Sequence, residues 1–253
     1  MFRKLMPAVL LGLIVLLGAC GPSAPALTDP DEIISQGMQA TSQATSFHMD
    51  ATLSGTINIP ETGGTFNLQG TNAAFDFDVA NETGRLSFEA PGLMSLSGEA
   101  ILIGGDAFVK TSLTGEKYMK SDAGSSGVPV DPDEVLSQVS GFLDEEGVET
   151  AKQDDVSCGD NTCYAVTLTI PSSLLGSAGA AGVDAGDFLG EDLVLNLQFD
   201  RESLRLVQAS TDVDAGEAGS FGLLITFSRY NESVQVSPPP DDLVTEGGSG
   251  LPF

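Results

Sequence analysis

The sequence has 253 residues, with 36 Asp and Glu against 10 Lys and Arg, and its formal net charge is −26 at pH 7. That length is enough for one substantial domain and scarcely enough for two. So acidic a surface repels phosphate, which argues against nucleic acid as a partner and against peripheral docking on anionic lipid. Because the acidic residues are spread along the chain, we interpret the charge as an adaptation to a salty or acidic habitat; an acidic binding surface is the alternative.

Residues 1–19 have the pattern of a signal peptide. Arg3 and Lys4 precede an apolar run that ends at Leu17 and is too short to span a membrane comfortably. Residues 17–20, Leu-Gly-Ala-Cys, resemble the lipobox of bacterial lipoproteins. This resemblance implies cleavage before Cys20 and a diacylglycerol thioether on its sulfur; an ordinary secretory signal with an accidental cysteine is the alternative. We therefore predict an extracytoplasmic protein that the lipid on Cys20 anchors to the cell membrane.

Residues 20–29 contain the lipidated cysteine and a linker rich in Pro, Ala and Ser, and the folded domain is predicted to span residues 30–237. A helix begins with Asp29 as its N-cap and Pro30 in its first turn. Its apolar stripe recurs at helical spacing and consists of Ile33, Ile34, Met38, Thr41 and Ala44.

The segment from Phe47 to Ile59 alternates strictly, because every odd position is apolar or glycine and every even position is polar. A period of two predicts a β-strand with one buried face and one wet face. A parallel strand covered on both faces would be apolar throughout, so the pattern also predicts an antiparallel sheet.

Further strands follow, separated by glycine and proline turns. After Gly70 the apolar phase slips by one position, which predicts a β-bulge. The later strands share the alternation; they contain Phe66 and Leu68, Phe75–Val79, Leu86–Ala90, Ser95–Ile103, Ala107–Leu113, Tyr164–Ile170, Leu193–Phe199, Leu204–Asp212, Phe221–Phe227 and Val234–Val236. Beyond them, residues 238–253 are predicted to be a disordered tail.

Two other segments interrupt the strands. A second amphipathic helix is predicted to begin at Asp131 and to end at Gly147, because its first residues repeat the pattern at Asp29. The stretch from Ser172 to Gly190 is rich in small residues and has no period. We therefore predict a mobile loop or a frayed helix there, which could gate a cavity.

Cys158 and Cys163 flank a turn sequence that leads into a strand. In an oxidising compartment, two cysteines across a short hairpin loop should form a disulfide. The closed loop is short, so the expected stabilisation is about 2 kcal/mol. Redox-active pairs have two residues between the cysteines, whereas here four intervene, so we predict a structural bond.

Candidates for catalysis are scarce. The one histidine, His48, falls on the wet face of the first strand, where we interpret it as a solvated side chain. Motifs of serine hydrolases, zinc proteases and phosphate-binding loops are missing from the sequence. Asp212–Glu217 faintly resembles a calcium loop but lacks its spacing, so we interpret it as a turn. We predict no enzyme, no cofactor and no metal site.

The apolar face of the strands is more informative. A filled core is the simple interpretation, and a cavity that binds an apolar ligand is the other. The candidate ligand-binding residues share this face; they are Phe47, Met49, Leu53, Ile57, Phe66, Leu68, Phe75, Phe77, Leu86, Phe88, Leu195, Leu197, Phe199, Phe221, Leu223, Ile225 and Phe227.

Three segments, in order, resemble the LppX/LprG lipoproteins of the mycobacterial envelope: residues 46–55, residues 107–120 with the helix that follows, and residues 228–240. The resemblance implies an α+β, LolA-like fold, in which one strongly curved antiparallel sheet, a half-barrel, has helices packed on its concave face around an apolar cavity. It also implies carriage of multi-acyl lipids or lipoglycans. The family has tryptophan where Tyr118 stands here, and the acidity of this chain is extreme.

Two functions follow. The first is a lipoprotein that binds an acylated lipid or glycolipid and carries it within the cell envelope, with an envelope transporter as a candidate partner. A palmitoyl-length chain in water costs on the order of 12 kcal/mol at about 0.8 kcal/mol per CH₂, so such a lipid leaves a bilayer only for a shielded apolar space. The alternative is a non-enzymatic envelope adaptor of the same fold with a filled core.

Overall fold

The computed structural model describes residues 26–59, 64–123, 141–175 and 191–246. Within these ranges the chain forms one sheet of 14 strands and two α-helices. The sheet is open and strongly curved, and its neighbouring strands are antiparallel except for one pair. The predicted fold class is therefore confirmed.

The strands form two meanders on either side of β1. Their bounds are β1 Ser46–Ile59, β2 Gly64–Asn67, β3 Thr71–Asp78, β4 Thr83–Ala90, β5 Leu96–Ile103, β6 Asp106–Thr111, β7 Tyr118–Asp122, β8 Glu149–Lys152, β9 Val156–Cys158, β10 Asn161–Ile170, β11 Leu193–Asp200, β12 Leu206–Asp214, β13 Gly219–Ser228 and β14 Val244–Glu246. Their order across the sheet is β14-β7-β6-β5-β4-β3-β1-β13-β12-β11-β10-β8, with β2 paired to β1 and β9 to β10.

Helix α1 spans Pro30–Ser42, and helix α2 is the single turn Ser172–Leu175. As predicted, Asp29 caps α1: its Oδ1 accepts hydrogen bonds from the backbone N–H groups of Asp31 at 2.9 Å and Glu32 at 3.3 Å. The helix lies across the strands and packs against β8, β10 and β12. It therefore covers only one side of the sheet's apolar face.

The alternation of β1 is continued by its neighbours. Phe47 lies opposite Phe77 on β3, and Met49 lies between Phe75 on β3 and Phe227 on β13. Side chains that are directly opposite in adjacent strands share a face. We call the face that carries these residues and α1 the concave face, and the other the convex face.

The bulge predicted after Gly70 is present between β2 and β3. Gly55 on β1 has a φ of 105°, and its carbonyl accepts a hydrogen bond from the N–H of Leu68 at 2.9 Å. The N–H of Thr71 donates to the carbonyl of Leu68, and β3 resumes pairing where Thr71 lies opposite Leu53. Strands β2 and β3 therefore follow β1 as one bent strand.

The C-terminal part of the domain differs from the prediction. Val234–Val236 is not a strand, and residues 238–246 are ordered: Asp241–Leu243 is a 3₁₀ turn and β14 pairs in parallel with β7. We call residues 229–246 the C-terminal strap. It crosses the convex face, where Val236, Leu243 and Val244 cover a small apolar cluster of Ile101, Phe108 and Tyr118.

Several predictions lie outside the described residues. They concern the signal peptide, Cys20 and most of the second helix, of which residues 141–142 are helical. The predicted loop from Ser172 to Gly190 is described only through residue 175. No helix within the described ranges is both long enough and apolar enough to cross a bilayer.

Candidate functional site

One end of the concave face is filled by α1. Ile33, Ile34 and Met38 are buried against Leu197 and Phe199 of β11, together with the apolar side chains of β10. In the register of β10 and β11, the apolar residues of the two strands lie opposite each other. They therefore share the face of the sheet on which the helix packs. Leu197 and Phe199, which the sequence marks as ligand-binding candidates, are therefore packed core residues.

An aromatic cluster fills a second part of the concave face. The rings of Phe47 and Phe75 lie 6.2 Å apart and edge to face, and those of Phe75 and Phe77 stack at 5.3 Å. Phe227 lies 6.1 Å from Phe47. Such pairs contribute about 0.5–1.5 kcal/mol beyond their buried area, so this cluster is a rigid part of the sheet.

Beside these two filled regions, further along β1 and β13, lies an apolar surface that we call the central patch, formed by Leu53, Ile57, Phe88, Leu223 and Ile225. Each of these side chains is half-buried, and none belongs to either packed cluster of the described residues. Leu53 on β1 lies directly opposite Leu223 on β13. The patch thus spans the middle of the sheet.

Three alanines lie in one row of side chains across this patch. Ala51 lies opposite both Ala73 on β3 and Ile225 on β13, and Ile225 in turn lies opposite Ala209 on β12. The row continues to Phe88 on β4, which lies opposite Ala73, so it mixes small and large apolar side chains. The three alanines are not among the predicted ligand-binding residues, although their apolar phase in the strands is the signal that identifies them.

The predicted ligand-binding residues thus fall into three groups by burial. The buried ones are Phe47, Leu68, Phe75, Phe77, Leu197 and Phe199. The half-buried ones are Met49, Leu53, Ile57, Leu86, Phe88, Leu195, Phe221, Leu223, Ile225 and Phe227. Phe66 is exposed near the end of β2.

The convex face carries charge networks. Glu99 accepts a hydrogen bond from the hydroxyl of Tyr118 at 2.9 Å and forms ion pairs with Arg85 and Lys110. Burial raises the pKa of Glu99, but the Tyr118 hydrogen bond and the two cations outweigh it, so its pKa lies below the ordinary value of 4.5. A groove of about 550 Å³ opens beside this network. The charged side chains of Arg85, Glu89, Glu99 and Lys110 line it, and they do not suit an alkyl chain.

His48 is not the solvated side chain that the sequence predicts. Its Nδ1 lies 2.8 Å from the carboxylate of Asp76, and its Nε2 lies 3.0 Å from that of Asp50. Arg229 contacts the same Asp76 oxygen at 2.8 Å. The histidine is therefore held in a hydrogen-bond network with two carboxylates beneath the C-terminal strap.

The cysteine hairpin forms as predicted, since Cys158 and Cys163 are disulfide-bonded with their Cα atoms 5.9 Å apart. In the Asp212–Glu217 segment, Asp214 accepts a hydrogen bond from the N–H of Gly216 at 3.0 Å and the chain turns into β13. Among the described residues, no group of three or more His, Cys, Asp or Glu side chains is placed to hold a metal ion.

The fold is similar to that of LprF from Mycobacterium bovis, with a TM-score of 0.55 at 16% identity over 83% of this chain and 96% of LprF. The lipoprotein LppX from Mycobacterium tuberculosis matches with a TM-score of 0.49 at 21% identity, over 82% of this chain and 97% of LppX. The likeness to LprF confirms the predicted resemblance at the level of the fold. Comparisons with protein-family models and with curated proteins find no significant match.

Proposed function

We propose that this protein is a membrane-anchored extracytoplasmic lipoprotein that binds an acylated lipid on its concave face and carries it within the cell envelope. The central patch is the observation that supports this most directly. Its large apolar side chains are only half-buried although the two regions beside it are packed. An alkyl chain laid on the patch leaves water at a gain of about 0.8 kcal/mol per CH₂.

The width of the patch suits a lipid with more than one chain. The patch reaches from Phe88 on β4 to Leu223 on β13, across β3 and β1. At about 4.8 Å between strands, three intervals span roughly 14 Å. Carbon atoms pack at about 3.5–4.0 Å, so two or three chains fit side by side. The lipobox-like sequence at Cys20 supports the anchor and the location outside the cytoplasm.

Two neighbouring leucines provide a matched test. Leu223 belongs to the central patch, whereas Leu224 is 40% exposed on the convex face. Leu223→Asp places a charge where an alkyl chain would lie, and Leu224→Asp makes the same change in water. In native mass spectrometry of the mature chain incubated with phospholipid, we expect wild type and Leu224→Asp to retain lipid and Leu223→Asp to lose it.

Circular dichroism of each variant shows whether the sheet is intact. A folded Leu223→Asp protein that retains as much lipid as wild type would overturn the assignment of the patch. A wild-type protein that binds no lipid would overturn the carrier and leave the envelope adaptor in its place.

A further inference from the structure

Five large apolar side chains are exposed among the described residues, and three of them lie at one end of the sheet. Phe66 in β2 is 38% exposed, Met94 in the β4–β5 turn is 89% exposed, and Leu113 in the β6–β7 turn is 60% exposed. We call these three the apolar rim. The other two, Val194 and Leu224, lie on the convex face.

The segments that carry the rim are in contact. Gly92 packs so tightly against the carbonyl of Asn67 that a Cβ at Gly92 would lie 1.6 Å from its oxygen. The N–H of Ser112 donates to the carbonyl of Ser97 at 2.7 Å, and the N–H of Ser97 donates to the hydroxyl of Ser112 at 3.2 Å. These contacts join β2, the β4–β5 turn and the β6–β7 turn into one surface.

The β4–β5 turn presents Met94 to solvent through an unusual backbone. Met94 and Ser95 have φ values of 55° and 56°, a region that residues with a Cβ rarely adopt. The N–H of Ser95 donates to the carbonyl of Pro91 at 3.1 Å, and that of Leu96 donates to Leu93 at 3.0 Å. Strained backbone of this kind concentrates at contact and functional sites.

The segments that carry the rim have no net charge in a strongly acidic chain. Residues 64–68 and 91–95 contain no charged side chain, and the β6–β7 turn carries one of each sign, Glu116 and Lys117, whereas the net charge of the chain is −26. Such a chain is repelled by anionic lipid. Exposed Phe and Leu side chains are suited to the boundary between headgroups and acyl chains. The rim therefore matches a zwitterionic bilayer, which it contacts by apolar insertion.

The rim also continues into the central patch. Ile57 of the patch lies directly opposite Phe66 of the rim in the β1–β2 pair. We propose that the apolar rim docks on a zwitterionic phospholipid bilayer, with Phe66, Met94 and Leu113 in the interfacial layer, and that lipid is exchanged in this orientation. The inference rests on the proposed function, because a lipid carrier must meet a bilayer to load or unload.

Depth-dependent quenching tests the docked orientation. The mature chain with its lipid anchor is placed on phosphatidylcholine vesicles that contain brominated lipid, and a fluorophore is attached at Met94→Cys, Leu113→Cys or Leu224→Cys. Leu224 is the matched control, because it is exposed and apolar but lies on the convex face. We expect quenching several-fold stronger at positions 94 and 113 than at 224. Equal quenching at all three positions would overturn the proposal.

A second variant tests insertion itself. With the fluorophore at Phe66→Cys, the double variant Met94→Asp/Leu113→Asp should lose quenching, because carboxylates resist entry into the interfacial layer. The double variant Val194→Asp/Leu224→Asp adds the same charge on the convex face, and the fluorophore should still be quenched. Persistent quenching in the rim variant would overturn docking.

Lipid retention in the same preparations separates the two proposals. Retained lipid without quenching supports the proposed lipid carrier and overturns docking. Quenching without retained lipid supports docking and overturns the carrier.

Discussion

The ring of Phe199 lies against the backbone of Gly37 in α1, so that a Cβ at Gly37 would be 2.3 Å from Cδ1 and 2.4 Å from Cε1 of the ring. Glycine inside a helix is about 1 kcal/mol less favourable than alanine. Helix α1 therefore keeps a poor helix former at the point where it meets β11, and this pair sets how closely the helix approaches the sheet.

Gly37→Ala should therefore destabilise the protein by about 1–3 kcal/mol through overpacking, despite the better helix propensity of alanine. Urea unfolding at neutral pH measures the change. Adding Phe199→Leu should give a smaller loss than the two single losses combined, since leucine lacks the ring atoms that clash. Ser35→Ala, on the exposed side of α1, is the control and should cost nothing. A Gly37→Ala protein as stable as wild type would contradict the packing.

Glu99 should give the protein a specific acid sensitivity. Its pKa is lower in the folded chain than its ordinary value of 4.5. Its contribution to stability is therefore present above that value and is lost as the pH falls through the folded-state pKa. Glu99→Gln should be less stable than wild type at neutral pH, and the difference should shrink on acidification below 4.5.

Urea unfolding from neutral pH down to about pH 3 measures this difference. Glu89→Gln is the matched control, because Glu89 is exposed and lines the same groove. Its free energy of unfolding should stay close to that of wild type throughout. A Glu99→Gln gap that stays constant on acidification would show that ionisation of Glu99 is not the source of the difference in stability.

The C-terminal strap should protect an edge of the sheet. Thr245 donates from its hydroxyl to the carbonyl of Tyr118 at 3.1 Å, and Leu243 and Val244 pack on the convex apolar cluster. Truncation after Pro240 should lower the free energy of unfolding by about 2 kcal/mol. It should also cause concentration-dependent association, because β7 then presents unpaired backbone groups.

Thermal unfolding and sedimentation velocity test the truncation. A chain that ends after Glu246 keeps β14 and is the control for shortening the terminus. If the shorter chain stays monomeric and as stable as the control, β14 has no protective role.

The strand faces could be predicted because a period of two fixes them locally. The alternation from Phe47 to Ile59 places Leu53 and Met49 on the apolar side without knowledge of any partner. The phase slip after Gly70 likewise identifies the bulge. The C-terminal strap gave a misleading signal: the spacing of Val234 and Val236 predicts a strand, whereas Val236 is half-buried through contact with Phe108 and its neighbours on the convex face.

The sequence predicts which face of the sheet carries the candidate site, but not which residues of that face form it. Phe199 and Leu223 occupy equivalent phases of their strands, yet Phe199 is buried under α1 and Leu223 is only half-buried. Their difference depends on which strands α1 crosses. That placement follows from pairings between distant parts of the chain, so no local pattern contains it.

Because β1 lies in the middle of the sheet, the sheet is complete only when both neighbours of β1 have been made. Its partner β3 follows soon after it, whereas its other partner, β13, spans Gly219–Ser228 near the end of the chain. Contacts so distant in sequence form late, because the chain must lose the entropy of a long loop before these contacts can stabilise it. A nascent chain therefore completes its concave face only after its final strands are made.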